Sequence, residues 1–148
     1  LLYRASRDGW GASDFHRMCD GKGATVTVVK SSGGYIFGGY TNVAWGESGG
    51  YKSSAESFFF SLKDHAGIGP VKMPIKSGKT VHAVIHSSSF GPAFGNGYDL
   101  QVASNANSNT SSYSNVGNTY QRPSNTNDPY FLTGSRNFTV SEYEVFLV

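Results

Sequence analysis

Cysteine is nearly absent from this chain, which has only Cys19 among its 148 residues. A single cysteine cannot form an internal disulfide, and a protein without disulfides is typical of a reducing compartment. We therefore expect an intracellular, cytoplasmic protein. The chain starts at Leu1 without a methionine or a signal-peptide pattern, so we also expect residues 1–148 to be a single domain taken from a longer protein.

An excess of charge of one sign is also lacking. The chain has 12 basic and 10 acidic residues, a net charge of +2, and its basic residues are spread along the sequence. Proteins that bind a phosphate backbone concentrate basic side chains on one surface, so nucleic acid is not an expected partner. With 38% hydrophobic residues, the composition predicts an ordinary soluble domain with no segment inserted in a membrane.

Glycine and aromatic residues are abundant, with 19 glycines, 10 phenylalanines, 9 tyrosines and 2 tryptophans. Aromatic runs interrupted by glycine favour β-sheets connected by tight turns. Seven apolar runs predict strands at 25–29, 35–40, 58–62, 81–85, 98–102, 129–132 and 138–148. The predicted fold class is mostly β, an antiparallel sandwich or barrel with one or two short helices.

One short helix is predicted near the start of the chain. Phe15, Met18 and Cys19 share a helical face, and the helix can end at Asp20-Gly21 with glycine in the left-handed cap. On that face Cys19 is expected to be a small buried hydrophobic residue rather than a redox sensor. By contrast, the Asn- and Ser-rich segment 104–127 is predicted to be a surface loop that buries little.

A serine nucleophile is suggested by Gly46-x-Ser48-x-Gly50. A trypsin-like site needs a histidine and then an aspartate upstream, and only His16 precedes Ser48. An α/β-hydrolase site needs a helix directly after the serine, and a strand-like run follows instead. We therefore interpret the motif as a glycine-rich turn.

The candidate metal-binding and phosphate-binding motifs of the chain also lack the residue spacing that such sites need. If 81–85 is a strand, His82 and His86 lie ~13 Å apart along it, too far to share a zinc ion. Residues 77–80 resemble the end of a phosphate-binding loop, but its first glycine would fall on Met73. No metal site and no cofactor is expected.

The last strand offers two carboxylates on one face, Glu142 and Glu144. Apolar residues continue that face, so Glu144 is expected to be partly buried. Two roles stay open for it: a structural clamp that accepts hydrogen bonds, or a proton carrier with a shifted pKa.

Several blocks of the chain together resemble the TLDc domain, the module of the oxidation-resistance proteins. The blocks are Leu2–Trp10, Phe15-His16, Cys19–Gly23, Phe37–Tyr40 with Trp45, Phe58–Leu62, Gly91–Gly95 with Asp99-Leu100, and Glu142–Phe146. They follow one another in order over nearly the whole chain. The segment 104–127 departs from the pattern of that family.

The resemblance implies a sandwich of two antiparallel β-sheets with a couple of short helices. It also implies a protein linked to protection against oxidative stress, and for several members a partner in the vacuolar-type proton pump. No settled catalytic activity comes with the family. A serine and glutamate pair is suggested, and the matching positions are Ser6 and Glu144.

Two functions follow as hypotheses. The first is a non-catalytic protein-interaction domain, because no working triad, metal set or nucleotide loop is present and many loops surround a rigid sandwich. The alternative is a hydrolase or redox-active enzyme built on Ser6 and Glu144, assisted by Cys19 or a histidine.

Overall fold

Two six-stranded antiparallel sheets form a sandwich in the computed structural model, which describes all 148 residues. The strands are β1 (Tyr3–Arg4), β2 (Thr25–Ser31), β3 (Ile36–Thr41), β4 (Tyr51–Lys52), β5 (Phe58–Lys63), β6 (Val71–Pro74), β7 (Val84–Ile85), β8 (Phe90–Phe94), β9 (Leu100–Ala103), β10 (Ser112–Ser114), β11 (Asn137–Phe138) and β12 (Val140–Leu147). The helices are α1 (Ala5–Asp8) and α2 (Ala12–Cys19), with a 3₁₀ turn at Thr80–His82. This architecture confirms the predicted fold class.

The first sheet has the strand order β1-β12-β2-β3-β5-β6, and the second has the order β11-β10-β9-β8-β7-β4. Strand residues alternate between the two faces of each sheet, so every second residue of β2 is buried in the core. Aromatic rings join the sheets: Phe59 of β5 stacks on Tyr120 with ring centroids 4.2 Å apart and meets Phe94 of β8 edge-on at 5.3 Å. The core is one cluster of 22 buried residues.

The predicted helix is confirmed as α2. It begins after Gly11, whose amide donates to the Asp14 carboxylate over 3.0 Å, and a carboxylate in the first turn also suits the helix dipole. It ends at Asp20, followed by Gly21 at a φ of 72°. Cys19 is buried, as expected, with 1% of its surface exposed. No helix in the fold has the length and hydropathy needed to span a membrane.

Two adjacent glycines in β3 allow a close backbone approach. A Cβ at Gly38 would lie 1.8 Å from the carbonyl oxygen of Thr27, and one at Gly39 would lie 2.8 Å from the ring of Phe94. The first contact lets β2 and β3 pair closely, and the second lets the two sheets pack. The irregularity in this strand lies between Ile36 and Phe37, before the glycines.

Two predicted strands are wrong. Residues 81–85 form part of the 3₁₀ turn and only the two-residue strand β7, and Val81 is 55% exposed. Residues 129–132 form turns, in which the amide of Phe131 donates to Asp128. Phe131 is nevertheless fully buried. A short apolar run therefore indicated burial here but not strand geometry.

The expectation that segment 104–127 buries little is also wrong. The segment contains β10, and its buried residues are Ala106, Ser112, Ser114, Val116, Thr119 and Tyr120. Asp99, 1% exposed, fixes the end of the segment, because its carboxylate accepts from the amides of Gly117, Thr119 and Tyr120. The hydroxyls of Ser112 and Thr119 accept hydrogen bonds from backbone amides, whereas the buried Ser114 hydroxyl has no partner. The Ser112 hydroxyl accepts from the Ala103 amide over 2.9 Å.

Candidate functional site

Ser6 and Glu144 were predicted to form a pair, but the structure gives each a different partner. Ser6 lies in the first turn of α1, where its amide donates to Glu142 over 3.1 Å and its hydroxyl donates to the same carboxylate. Glu144 instead accepts from Arg4, 2.7 Å from both its Nε and a terminal guanidinium nitrogen. The β1–β12 pairing places Arg4 directly opposite Glu144. The serine therefore contacts the glutamate two residues earlier on the same face of β12.

The geometry around Glu142 is that of a helix cap. The first amides of a helix have no acceptor within it, and Glu142 provides one for Ser6 while it also accepts from the amide of Tyr143. Ser6 itself is exposed. The cavity of about 300 Å³ in this fold lies elsewhere, between the β2–β3 turn and the segment around Asn137. No concave surface thus encloses the Ser6 hydroxyl.

The outer face of the first sheet is unusually apolar. Its half-buried residues, which we call the outer apolar face, are Val26, Val28, Ile36, Tyr40, Phe58, Phe60 and Phe146. None of them belongs to the core cluster or packs against it. The strand register aligns Phe146, Val26, Tyr40 and Phe58 in one row across four strands.

At one end of this face, two aromatic rings stack on each other and a lysine lies over one of them. The rings of Tyr40 and Phe58 stack with centroids 5.2 Å apart and an interplanar angle of 29°. The Lys72 ammonium lies 4.2 Å from the centroid of Phe58. Large contiguous apolar surfaces on a folded domain mark interaction sites, and aromatic residues are enriched there. The face is therefore a candidate protein-binding surface.

The family of the chain follows from a comparison of its sequence with the profiles of protein families. The profile of the TLDc domain matches residues 1–148, the whole chain. This chain belongs to the TLDc domain family. A search of the curated proteins found no match.

The other chemical candidates in this TLDc domain have different surroundings. Ser48 is exposed in an irregular loop between β3 and β4, without the strand-to-helix turn that a nucleophile elbow needs. His82 packs edge-on against the ring of Tyr51, with centroids 4.7 Å apart. His86 instead lies beside Trp45, and its burial lowers the pKa of the imidazole.

Cys19 is unsuited to redox chemistry in the folded TLDc domain. Burial raises the pKa of its thiol to about 12. The thiolate is the reactive form, so the side chain is unreactive at neutral pH. The chain contains no second cysteine that could resolve an oxidised sulfur.

Sequence reasoning missed Glu142 as the partner of Ser6 and missed the outer apolar face. Glu142 and Glu144 share one face of a strand, and nothing in the spacing distinguishes which of them meets the serine. The apolar face did leave a signal, because Phe58-Phe59-Phe60 places large apolar side chains on both faces of one strand. Only one of those faces can be covered by the second sheet.

Proposed function

We propose that this TLDc domain is an intracellular, non-catalytic protein-interaction domain that takes part in protection against oxidative stress by binding a subunit of the vacuolar-type proton pump. The observation that carries the proposal is the outer apolar face, whose half-buried residues lie outside the core cluster. Membership of the TLDc family supports the link to oxidation resistance, and the pump is the partner that the resemblance to this family implies.

The face has the chemistry of a binding surface that must also remain soluble. Its aromatic rings provide apolar area with few rotatable bonds, which lowers the entropy lost on binding. The Arg4–Glu144 ion pair borders it on β1 and β12, and Lys72 lies next to Phe58. Such a polar rim around an apolar centre is typical of interfaces between proteins that also exist separately.

The test replaces Phe58 in the aromatic stack of the face and measures binding to the purified cytoplasmic sector of the pump. Phe58→Glu removes the stack on Tyr40 and the contact with Lys72, contributions of about 0.5–1.5 and about 0.5–1 kcal/mol. Domains typically have 5–15 kcal/mol of stability, so the variant is expected to fold. Loss of an aromatic residue that acts as a binding hot spot costs about 2 kcal/mol or more of binding energy, so we expect affinity to fall about 30-fold or further.

Val81→Glu is the matched control, because Val81 is a 55% exposed apolar residue outside the face. Its affinity for the pump should equal that of the unchanged domain. Equal binding by both variants would refute the role of the face. No binding by the unchanged domain would refute the pump as its partner.

An enzyme that uses Ser6 is the alternative function, favoured by the contact between its hydroxyl and Glu142. Ser6→Ala separates the two functions. The substitution removes the hydroxyl that contacts Glu142 and leaves the outer apolar face intact. Under the interaction proposal, Ser6→Ala protects cells from peroxide as well as the unchanged domain does, whereas an enzyme that uses Ser6 would lose that protection.

A further inference from the structure

Three potential metal ligands meet at the C-terminal end of α2. They are His16 on the helix, Asp20 immediately after it and Glu47 from the loop between β3 and β4. One ligand atom from each lies within 4.8 Å of the other two. Ligand atoms at ~2.1 Å around a tetrahedral zinc ion are ~3.4 Å apart, so changes of about 1.4 Å or less in these separations would bring all three onto one ion.

The hydrogen bonds of His16 determine which ring nitrogen is free. Its Nε2 lies 2.7 Å from the carbonyl oxygen of Ser87 and 3.0 Å from that of Phe90. Both oxygens are acceptors only, so Nε2 carries the proton. Metal-binding histidines commonly donate their second N–H to a backbone carbonyl in this way, which fixes the tautomer and the ring orientation.

The other nitrogen of His16 then faces a carboxylate. Nδ1 is 2.7 Å from Asp20 Oδ1, so the edge of the ring that faces away from the backbone carbonyls lies against a carboxylate oxygen. Glu47 adds a second carboxylate to the cluster, and neither Asp20 nor Glu47 forms an ion pair with a lysine or arginine. The cluster therefore has an excess of negative charge that a divalent ion would neutralise.

Buried contacts hold the loop of Glu47 against the helix. The amide of Gly21 donates to the carbonyl of Trp45 over 3.0 Å, and the buried Trp45 ring donates to Thr25 over 3.0 Å. Glu47 follows Trp45 by two residues, and the His86 ring lies so close to Gly46 that a Cβ there would be 3.0 Å from Nδ1. The His16 side chain is 3% exposed and that of Asp20 25%. The cluster is thus fixed on its inner side and open to solvent on the side of Glu47.

We propose that His16 Nδ1, Asp20 and Glu47 bind one divalent transition-metal ion, with Zn²⁺ as the best fit. An imidazole nitrogen with two carboxylates is a nitrogen and oxygen donor set that suits Zn²⁺ more than Mg²⁺ or Ca²⁺. Three protein ligands leave a further position for water on the exposed side. The ion would join the end of α2 to the loop of residues 44–50.

The test titrates the chelator-treated domain with ZnCl₂ by calorimetry. One Zn²⁺ per chain is expected. Glu47→Gln replaces an exposed ligand with a neutral side chain of the same shape, so the fold should be retained, and we expect Zn²⁺ affinity to fall about tenfold or more. Glu56→Gln is the matched control, since Glu56 is an exposed glutamate outside the cluster, and its affinity should be unchanged.

A second measurement identifies the coordinating atom. Long-range ¹H–¹⁵N spectra should show a large Zn²⁺-dependent shift of His16 Nδ1, while its Nε2 stays protonated. His65 and His82, which lie away from the cluster, should be unaffected. Absence of saturable binding, equal affinity in Glu47→Gln, or a Zn²⁺-dependent shift without one on His16 Nδ1 would each overturn the proposal and leave His16 and Asp20 as hydrogen-bond partners only.

Discussion

Replacing Asp99 with alanine is expected to lower the free energy of unfolding by about 3 kcal/mol. The carboxylate is 1% exposed, and its Oδ2 accepts from the amides of Gly117, Thr119 and Tyr120, each at 3.1 Å. A buried amide left without an acceptor costs about 1–3 kcal/mol. At the lower bound of that range, about 1 kcal/mol for each of the three amides, the loss is about 3 kcal/mol.

The lower bound is the right choice because burial of the carboxylate has a cost of its own. Burial raises the pKa of Asp99, and the three amide hydrogen bonds only partly offset that rise. Alanine removes this desolvation cost together with the hydrogen bonds. The net loss is therefore smaller than the sum of three charge-assisted hydrogen bonds, each worth about 1.5–3 kcal/mol.

Urea denaturation monitored by tryptophan fluorescence measures the loss. Asp128→Ala is the control, because Asp128 is exposed and accepts from a single amide, that of Tyr130, over 2.9 Å. Asp99→Asn keeps one acceptor oxygen and should fall between Asp99→Ala and the unchanged domain. A loss below about 1 kcal/mol in Asp99→Ala, similar to the control, would refute the view that this carboxylate holds segment 104–127 in place.

Two further predictions concern ionisable groups near the start of the chain. Burial raises the pKa of Cys19 to about 12, so we expect the thiol to be alkylated at neutral pH only when the domain is unfolded in urea. Alkylation of the folded domain at the rate of a free thiol would contradict this. The pKa of Asp8 is lowered from 3.8 to about 2 by hydrogen bonds from Arg7 and the Arg4 amide, so its stabilisation is present above 3.8 and lost as pH falls toward 2. Asp8→Asn should make the urea midpoint less sensitive to acid over that range, and an unchanged acid dependence would show that the carboxylate contributes nothing.

The first sheet was largely predictable from the sequence. Its strands β2, β3 and β5 are six or seven residues long, and glycine-containing turns separate the first two, so local pattern and final structure agree. The second sheet was harder to predict. Its strands have two to five residues, and β10 is the tripeptide Ser112–Ser114, whose burial depends on partners distant in the sequence. Short polar strands have no periodicity that a local window can detect.

The candidate site shows the same limit at the level of single contacts. The family resemblance implied a serine next to a glutamate of the last strand, and a serine–glutamate contact is present in the site with Glu142 in place of Glu144. A strand places residues two positions apart on the same face, so only the register of β1 on β12 decides that Arg4 meets Glu144 and that Ser6 meets Glu142. Pairing between the two ends of the chain is a tertiary property.

In strand β5, one set of residues contributes to the stability of the fold and another set forms the proposed binding surface. Phe59 points inward, stacks on Tyr120 and is 1% exposed, so its apolar surface contributes to folding. Phe58 and Phe60 point outward and stay half-buried, so part of their apolar surface remains in contact with solvent. Antiparallel sheets commonly carry polar residues on their solvent-facing side, so a sheet that served only as a scaffold would not need aromatic rings at those outer positions. The outer residues can therefore be changed with a small effect on unfolding, and loss of partner binding in Phe58→Glu would report on the surface itself.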